Sequence, residues 1–171
     1  MAGRSTVLSM SELAIRAMTA EEFGAYRASS IRDYAAEHVR AGNWPSSQAE
    51  ELAAMQLDDL LPDGVETAGM LLLVAETASA GVVGMVWVEL QHGSTTGAWM
   101  YDIHIGPEHR GRGYGRALLR AAEREVETRG IESIALNVFG ENTVARDLYA
   151  TSGYQVTSLH MRKTLDSDHD R

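Results

Sequence analysis

The chain contains no cysteine, only three prolines and no long apolar run among its 171 residues. Without cysteine it can form no disulfide, no thiolate metal ligand and no thiol nucleophile. Its longest apolar segments, GMLLLVA and GVVGMVWVEL, are shorter than the roughly 18 residues that a membrane-spanning helix requires. We therefore expect neither thiol chemistry nor a membrane partner, and we predict no metal cofactor.

Basic residues are also scarce, because 15 lysines and arginines stand against 24 acidic residues and give a formal net charge of -9. Nucleic-acid affinity depends on clustered cations, so this balance argues against a nucleic-acid partner and slightly favours a cationic substrate. Length and composition predict one domain over residues 11–165, with a flexible extension at 1–10 and a polar tail at 166–171. A cytoplasmic location and a homodimer are the default expectations.

Apolar periodicity and turn residues predict a mixed α/β domain. Thr19 with Glu22, and Ser47 with Glu50, have the spacing of capping boxes that open two helices. In chain order, the expected elements are a strand in ELAIRAM, helices over 20–40 and from Ser47 to the LPDG turn, strands over 70–76, 82–90 and 98–105, a long helix ending at Gly130, the strand SIALNV, a helix over 142–152 and a final strand over 155–163.

One stretch concentrates glycine and positive charge: HRGRGYGRALLR, residues 109–120. It is predicted to connect the strand MYDIHI to the long helix, whose first main-chain N–H groups have no partner within the helix. Glycine lets a ligand approach these amides, each of which contributes about 1.5 to 3 kcal/mol to a charged acceptor, against roughly 0.3 to 1 kcal/mol for the helix dipole. The stretch suits a phosphate or pyrophosphate. Taken alone, it is also compatible with a flexible turn that carries solvated arginines.

Two motifs together resemble the GNAT N-acetyltransferase superfamily. Arg110-x-x-Gly113-x-Gly115 resembles the acetyl-CoA-binding signature R/Q-x-x-G-x-G/A, and NTVARDLYATSGY, residues 142–154, resembles the segment N-x-x-A-x-x-L-Y-x-x-x-G-F/Y. The element order fits over roughly Leu13 to Leu165. The resemblance implies the GNAT fold, an α/β fold with a mixed, mostly antiparallel sheet, flanking helices, two helices near the N-terminus and a V-shaped splay between the fourth and fifth strands.

The resemblance also implies an activity, the transfer of an acetyl group from acetyl-CoA directly to a primary amine of a small molecule or peptide. In the family, pantetheine lies in the splay and the pyrophosphate sits on the amides of the glycine loop. The implied cofactor-binding residues are Ile103, His104, Ile105, Arg110, Gly111, Arg112, Gly113, Tyr114, Gly115, Arg116, Asn137, Asn142 and Tyr149. A non-catalytic acyl-CoA sensor on the same fold and an unrelated phosphate-binding α/β domain are the alternatives.

An amine needs help to react, because an alkylammonium with a pKa near 10.4 is almost fully protonated at pH 7, at a cost of roughly 4.6 kcal/mol. Asp102 is our first candidate for the base, with a structural hydrogen-bond acceptor as the other explanation for it. Glu89 is the alternative base. A polyamine-acetylating branch of the family has an acidic pair at this place, whereas Tyr101 occupies the other position here. Tyr149 is implied to protonate the departing thiolate, since a phenol stays protonated at neutral pH.

The acceptor pocket is expected to form from the two N-terminal helices and the loop between them. Aromatic and acidic side chains there would suit an amine through cation–π contacts and charge pairing. The candidate lining residues are Tyr26, Tyr34, Glu37, Trp44 and Trp87. Core packing explains most of these aromatic residues equally well, and His104 is interpreted as a buried neutral histidine.

Overall fold

A computed structural model describes residues 13–93 and 97–163. In chain order the elements are β1 (Leu13–Ala17), α1 (Ala20–Arg40), α2 (Ala49–Leu60), β2 (Met70–Thr77), β3 (Gly81–Glu89), β4 (Ala98–Ile105), α3 (Tyr114–Glu127), β5 (Ile134–Leu136) and α4 (Thr143–Ala150). These elements confirm the predicted mixed α/β class and the predicted order as far as α4. The predicted extension at 1–10 and tail at 166–171 lie outside the described residues.

The five strands form one open sheet in the order β1-β2-β3-β4-β5. All neighbours are antiparallel except β4 and β5, which run parallel. That last pair is short, since its register begins at Ala98 opposite Ile134 and ends at Met100 opposite Leu136. β4 continues to Ile105, so its second half has no neighbour in β5. This divergence is the predicted splay between the fourth and fifth strands.

Helices cover both faces of the central strands. On one face, Leu118, Leu119 and Ala122 of α3 pack with Val86 and Val88. On the other face, residues of α1 and α2 pack against β2 and β3; this second cluster includes Tyr26, Leu57, Val74, Met85 and Trp87. Strands buried on both faces require apolar side chains at successive positions, which explains the continuous runs MLLLVA and VVGMVWV.

A β-bulge interrupts the pairing of β3 with β4. Trp87 lies opposite Asp102 while the next residue, Val88, lies opposite Met100, so Tyr101 is the extra residue on β4. Side chains normally alternate between the faces of a strand, and a bulge breaks that alternation. Tyr101 consequently packs with the α1 and α2 cluster, and Asp102 also contacts α1. The bulge therefore directs a carboxylate towards the first helix.

The two predicted capping boxes have different outcomes. The Thr19 box is confirmed, because the Glu22 N–H donates to Thr19 Oγ1 at 3.3 Å and the Thr19 N–H donates to Glu22 Oε2 at 2.9 Å. The Ser47 box is wrong. The N-cap of α2 is Gln48, which makes no side-chain capping bond, and its N–H donates to the carbonyl of Pro45. The proline turn thus continues past Ser47 and delays the start of the helix.

The predicted final strand over 155–163 is also wrong. These residues carry no regular secondary structure, and Val156, Leu159 and Met161 are 75%, 78% and 86% exposed. Arg162 donates to the carbonyl oxygens of Ala41 and Gly42 at the end of α1. Alternating apolar residues form a strand only beside a neighbouring strand, and this segment follows a different path. Within 13–93 and 97–163, no helix combines the length and the apolar character needed to cross a membrane.

Candidate active site

An open cleft of about 1840 Å³ lies where β4 separates from β5. Its walls come from α1, the second half of β4, the loop before α3, the residues after β5, and α4. All of the predicted catalytic, cofactor-binding and acceptor-binding residues line this cleft except Glu89, Arg112 and Trp44. The fold thus brings together side chains that are more than 100 positions apart in the sequence.

The glycine loop ends in an uncapped helix N-terminus. Gly113 is the N-cap of α3 with φ 84°, makes no side-chain capping bond, and follows Gly111 at φ 73°. A Cβ atom added to either glycine would meet nothing within 4 Å. The left-handed backbone, rather than crowding within the protein, therefore requires glycine at these two positions. The first amides of α3 have no intrahelical partner and are free of a side-chain cap.

The arginines of the loop brace its backbone. Arg110 Nε donates to the carbonyl of Ile105 at 3.0 Å, and Arg112 Nη2 donates to the carbonyl of Glu108 at 3.2 Å. Arg116 reaches the end of α4, where its Nη2 donates to Thr151 Oγ1 at 2.7 Å. All three contacts are to neutral oxygens, so these bonds order the loop without compensating its positive charge. The predicted loop therefore has both charge and a defined shape.

Asp102 is partly buried and lines the cleft. The hydroxyl of Tyr26 donates to Asp102 Oδ2 at 3.1 Å. Burial raises the pKa of the Asp102 carboxyl to about 6 and outweighs the opposing hydrogen bond from Tyr26; the negative charge of Asp33 raises it further. A carboxyl with this pKa is ionised at pH 8 and is a stronger base than an exposed aspartate.

Tyr149 lies on α4 and is 9% exposed. Burial, followed by the nearby carboxylates of Asp102 and Glu37, raises the pKa of its phenol to about 12, so it keeps its proton at neutral pH. At the start of the same helix, Asn142 Oδ1 accepts a hydrogen bond from the Ala145 N–H at 3.1 Å. Asn142 is therefore a helix cap, whatever else it contacts.

Glu89 lies at the end of β3 within a group of aromatic rings. Its Oε2 accepts a hydrogen bond from the Tyr101 hydroxyl at 3.0 Å and lies 2.6 Å from His92 Nδ1. Tyr101 in turn stacks on Trp87, with 4.4 Å between ring centroids. Glu89 does not line the cleft that holds Asp102 and Tyr149, and its role as a base stays a prediction.

The predicted acceptor-binding residues differ in exposure. Tyr26 and Trp87 are 8% and 4% exposed and belong to the second core cluster, whereas Tyr34 is 38% exposed and packs edge-on against His38 and Trp44. Contact of these residues with an acceptor stays a prediction. Asp33 was not among the predicted residues, and it lines the cleft one helical turn before Glu37. The i, i+4 spacing of the two carboxylates on α1 is the signal that could have found it.

Residues 103–105 lie along the unpaired half of β4. Ile103 and Ile105 pack against the α3 core cluster, while His104 faces the opposite side of the sheet, where burial and then Arg110 lower the pKa of its imidazole. This direction agrees with a neutral histidine. Asn137 follows β5 and is exposed in the cleft. In the described part of the chain, no three histidine or acidic side chains are grouped in a way that could hold a metal ion.

Residues 31–154 match the acetyltransferase (GNAT) family. The chain belongs to this family. It is 35% identical over 150 residues to YycN, an uncharacterized N-acetyltransferase of Bacillus subtilis (strain 168), with 86% of this chain and 96% of that protein covered. The crystal structure of the YycN acetyltransferase covers 90% of this chain and 98% of its own, with a TM-score of 0.83 at 32% identity. The protein is therefore an acyltransferase enzyme of the GNAT type.

A more distant neighbour shares the fold. The PaiA N-acetyltransferase of Thermoplasma acidophilum, solved in complex with coenzyme A, has a TM-score of 0.64 at 19% identity and covers 86% of this chain and 92% of its own. Acetyl-CoA is the co-substrate of the GNAT family. The match of this chain to the family confirms the predicted resemblance and overturns the alternative of an unrelated phosphate-binding domain.

Proposed function

We propose that this enzyme transfers an acetyl group from acetyl-CoA directly to a primary amine of a small molecule or peptide. One observation carries the proposal. A single cleft contains an uncapped, arginine-rich helix N-terminus, a carboxyl group with a raised pKa and a buried phenol. These are, respectively, a binding site for a diphosphate, a base and a hydrogen-bond donor.

The helix N-terminus suits the diphosphate of the coenzyme. The amides of residues 111–116 would donate to its oxygens, and the uncompensated charges of Arg110 and Arg112 would add attraction. The pantetheine arm contains amide groups that need hydrogen-bond partners. Residues 103–105 lie where β4 has no neighbour in β5, so this edge can pair with an extended ligand, although the Ile105 carbonyl already accepts a hydrogen bond from Arg110.

Asp102 is proposed as the base. The nitrogen lone pair of the amine attacks the thioester carbonyl carbon, a C–N bond forms, the C–S bond breaks, and the proton lost by nitrogen passes to the Asp102 carboxylate. A base is most effective when its pKa lies near the working pH, and burial moves the pKa of Asp102 towards that range. The chain has no cysteine to form an acyl-enzyme through a thiol, which agrees with direct transfer.

Tyr149 is proposed to stabilise the departing sulfur. Its pKa of about 12 lies well above that of a thiol, roughly 8.5, so complete proton transfer to the thiolate would cost about 5 kcal/mol. A hydrogen bond from the phenol to the developing thiolate needs no such transfer. We therefore assign Tyr149 the role of donor to sulfur, with the coenzyme thiolate taking its final proton from solvent.

The acidic wall of the cleft, opposite the glycine loop, favours an amine as the acceptor. Asp33, Glu37 and Asp102 all line the cleft, where burial raises the pKa of Glu37 and Asp102 and the charge of Asp33 raises both further. Carboxylates that interact in this way create a negative potential, which attracts an ammonium group and repels acidic acceptors. The negative potential of this wall therefore favours amines over carboxylic acids as acceptors, without selecting one particular amine.

Turnover measured by free-thiol release, with acetyl-CoA and a panel of primary amines, tests the proposal. We expect turnover by the wild-type enzyme and a fall of about 10² to 10⁴ in kcat for Asp102→Asn, with little change in acetyl-CoA affinity. Calorimetry supplies the affinities. Tight acetyl-CoA binding without turnover of any amine would contradict the proposal and identify a non-catalytic sensor.

A further inference from the structure

Tyr26 directly contacts Asp102, the proposed base. It lies on α1, is 8% exposed, and packs its ring in the cluster that contains Leu57, Met85 and Trp87. Its hydroxyl donates to Asp102 Oδ2 at 3.1 Å. The side chain thus has one polar atom, and that atom is used by a carboxylate 76 positions away in the sequence.

The contact depends on two structural features. The bulge at Tyr101 puts Asp102 on the α1 side of β4, and the capping box at Thr19 begins α1 where Tyr26 then faces the sheet. Ser30, one turn further along α1, lies 3.5 Å from the Tyr26 hydroxyl. The phenol therefore reaches Asp102 from a rigid helix rather than from a loop.

We propose that Tyr26 is a positioning residue for the transfer reaction, whose hydroxyl fixes the rotamer of the Asp102 carboxylate and stabilises its charged form so that it can accept the amine proton. This inference rests on the proposed function, in which Asp102 is the base. A phenol that donates to a carboxylate stabilises the ionised form, since the protonated form gains less from that bond. Loss of the hydroxyl would therefore leave Asp102 protonated up to a higher pH.

Several other charged or titratable groups act in the same space. Asp33 and Glu37 approach from α1, and Asp33 disfavours ionisation of Asp102. His104 lies two positions along β4, and Tyr149 approaches from α4. The acidic neighbours and burial oppose a negative charge on Asp102. Tyr26 and the Ile103 amide support it.

The chain contains a matched control. Tyr101 donates to Glu89 Oε2 at 3.0 Å, so it forms a second phenol-to-carboxylate bond, next to Asp102 in the sequence but to a different carboxylate. Tyr26→Phe and Tyr101→Phe each remove one hydroxyl and leave the ring in place. Comparison of the two variants separates the effect on Asp102 from the general effect of losing a phenol hydroxyl that donates to a carboxylate.

The experiment is a pH–rate profile of kcat/KM for wild type and both variants, with a primary amine that the wild-type enzyme acetylates. Beside it, the Asp102 carboxyl is titrated by carbon NMR in protein labelled at the aspartate carboxyl carbons and assigned with Asp102→Asn. We expect Tyr26→Phe to shift both the acid limb of the pH–rate profile and the NMR titration of Asp102 to higher pH by about one unit. On the acid side, kcat/KM should therefore fall about tenfold, with little loss at pH 9. We expect Tyr101→Phe to move neither.

A second variant tests the opposite direction without removing the group. Fluorotyrosine introduced at position 26 keeps the shape of the ring and makes the phenol a stronger hydrogen-bond donor. Both the acid limb of the pH–rate profile and the NMR titration of Asp102 should therefore move to lower pH. The inference would be overturned if the NMR titration of Asp102 were unchanged in Tyr26→Phe. It would also be overturned if the acid limb of the pH–rate profile shifted in Tyr101→Phe and not in Tyr26→Phe. If no amine is turned over, the proposed function fails, and the NMR titration alone still decides whether Tyr26 controls Asp102.

Discussion

The two walls of the cleft are built in different ways. The wall proposed for the diphosphate of the coenzyme is one continuous stretch, the loop of residues 106–113 and the start of α3, and it relies on main-chain amides and left-handed glycines. The opposite wall is assembled from α1, the bulged part of β4 and α4, and it relies on side chains. A site made of contiguous backbone has a short sequence signature, whereas a site made of distant side chains has none.

The two walls should also differ in role, one in binding the coenzyme and the other in the transfer reaction. Changes in the contiguous wall should alter coenzyme affinity, and changes in the assembled wall should alter rate or stability. Each of the following predictions tests that division, and each uses a control variant from the same chain.

The largest expected effect is at Gly113. Gly113→Glu should abolish measurable acetyl-CoA binding, because its carboxylate would stand where the diphosphate is proposed to bind. Gly130→Glu is the control: Gly130 lies just beyond the other end of α3, with φ 75° and nothing within 4 Å of an added Cβ, so its backbone strain is similar. Calorimetry should show wild-type affinity for Gly130→Glu. Micromolar affinity retained by Gly113→Glu would remove the assignment of the diphosphate site.

The next effect concerns Tyr149. Tyr149→Phe should lower kcat by about 10²-fold while the dissociation constant of acetyl-CoA stays within about twofold, because the lost hydroxyl acts on the sulfur only as it leaves. Tyr154→Phe is the control, since its ring lies 5.5 Å from that of Tyr149 in the same core. Steady-state kinetics together with calorimetry give both constants. An unchanged kcat in Tyr149→Phe would exclude the donor role.

A third prediction concerns stability. The pKa of Asp102 is about 6 in the folded protein and near 3.9 in an unfolded chain, so the folded state binds its proton more tightly. Its contribution to stability is therefore present below about pH 4 and is lost as the pH rises through 6. Asp102→Asn cannot ionise and should be more stable than wild type by about 2 to 3 kcal/mol at pH 8, with little difference at pH 4.

Urea unfolding at the two pH values measures this difference. Asp59→Asn, at an exposed position on α2, is the control for an aspartate-to-asparagine change away from the cleft. If the Asp102→Asn variant is less stable than wild type at pH 8, Asp102 is a structural hydrogen-bond acceptor. Greater stability with lower activity would mark it as a functional carboxylate that the fold tolerates at a cost.

The smallest expected effect is at Asn142, which caps α4. Asn142→Ala should lower the free energy of unfolding by about 1 kcal/mol. Asn142→Ser keeps a capping oxygen, so it should lower that free energy by only a few tenths of a kcal/mol. If Asn142 also contacts the coenzyme, both variants should bind acetyl-CoA several-fold more weakly. Wild-type affinity in both variants would leave capping as its role.

Sequence analysis predicted the contiguous features of the molecule well. The capping box at Thr19, the strands of the meander, the start of α3 after the glycines and the α4 motif are each local patterns of spacing or conformation. It failed where a pattern needs a distant partner. The segment 155–163 alternates like a strand but pairs with no strand among the described residues. The cap expected from Ser47 failed for a local reason instead, because the turn at Pro45 replaced it.

Asp102 shows the limit of what could be predicted from the sequence. Its place before Ile103 was enough to nominate it, but nothing in the local sequence predicted the bulge at Tyr101, the bond from Tyr26 or the influence of Asp33. These contacts join α1 to β4 across about 70 residues. A side chain's environment depends on what the fold packs around it, so its basicity could not be read from its neighbours in the chain.

By itself, the sequence determined the family, the order of the elements up to α4 and the uncapped, glycine-rich start of α3, because glycine conformation, helix caps and amide direction are local properties. The tertiary structure alone decided that Asp102, Tyr26 and Tyr149 meet in one cleft and that the carboxyl of Asp102 is a stronger base than usual. Burial and hydrogen bonding set a pKa, and both exist only after the helices have packed on the sheet.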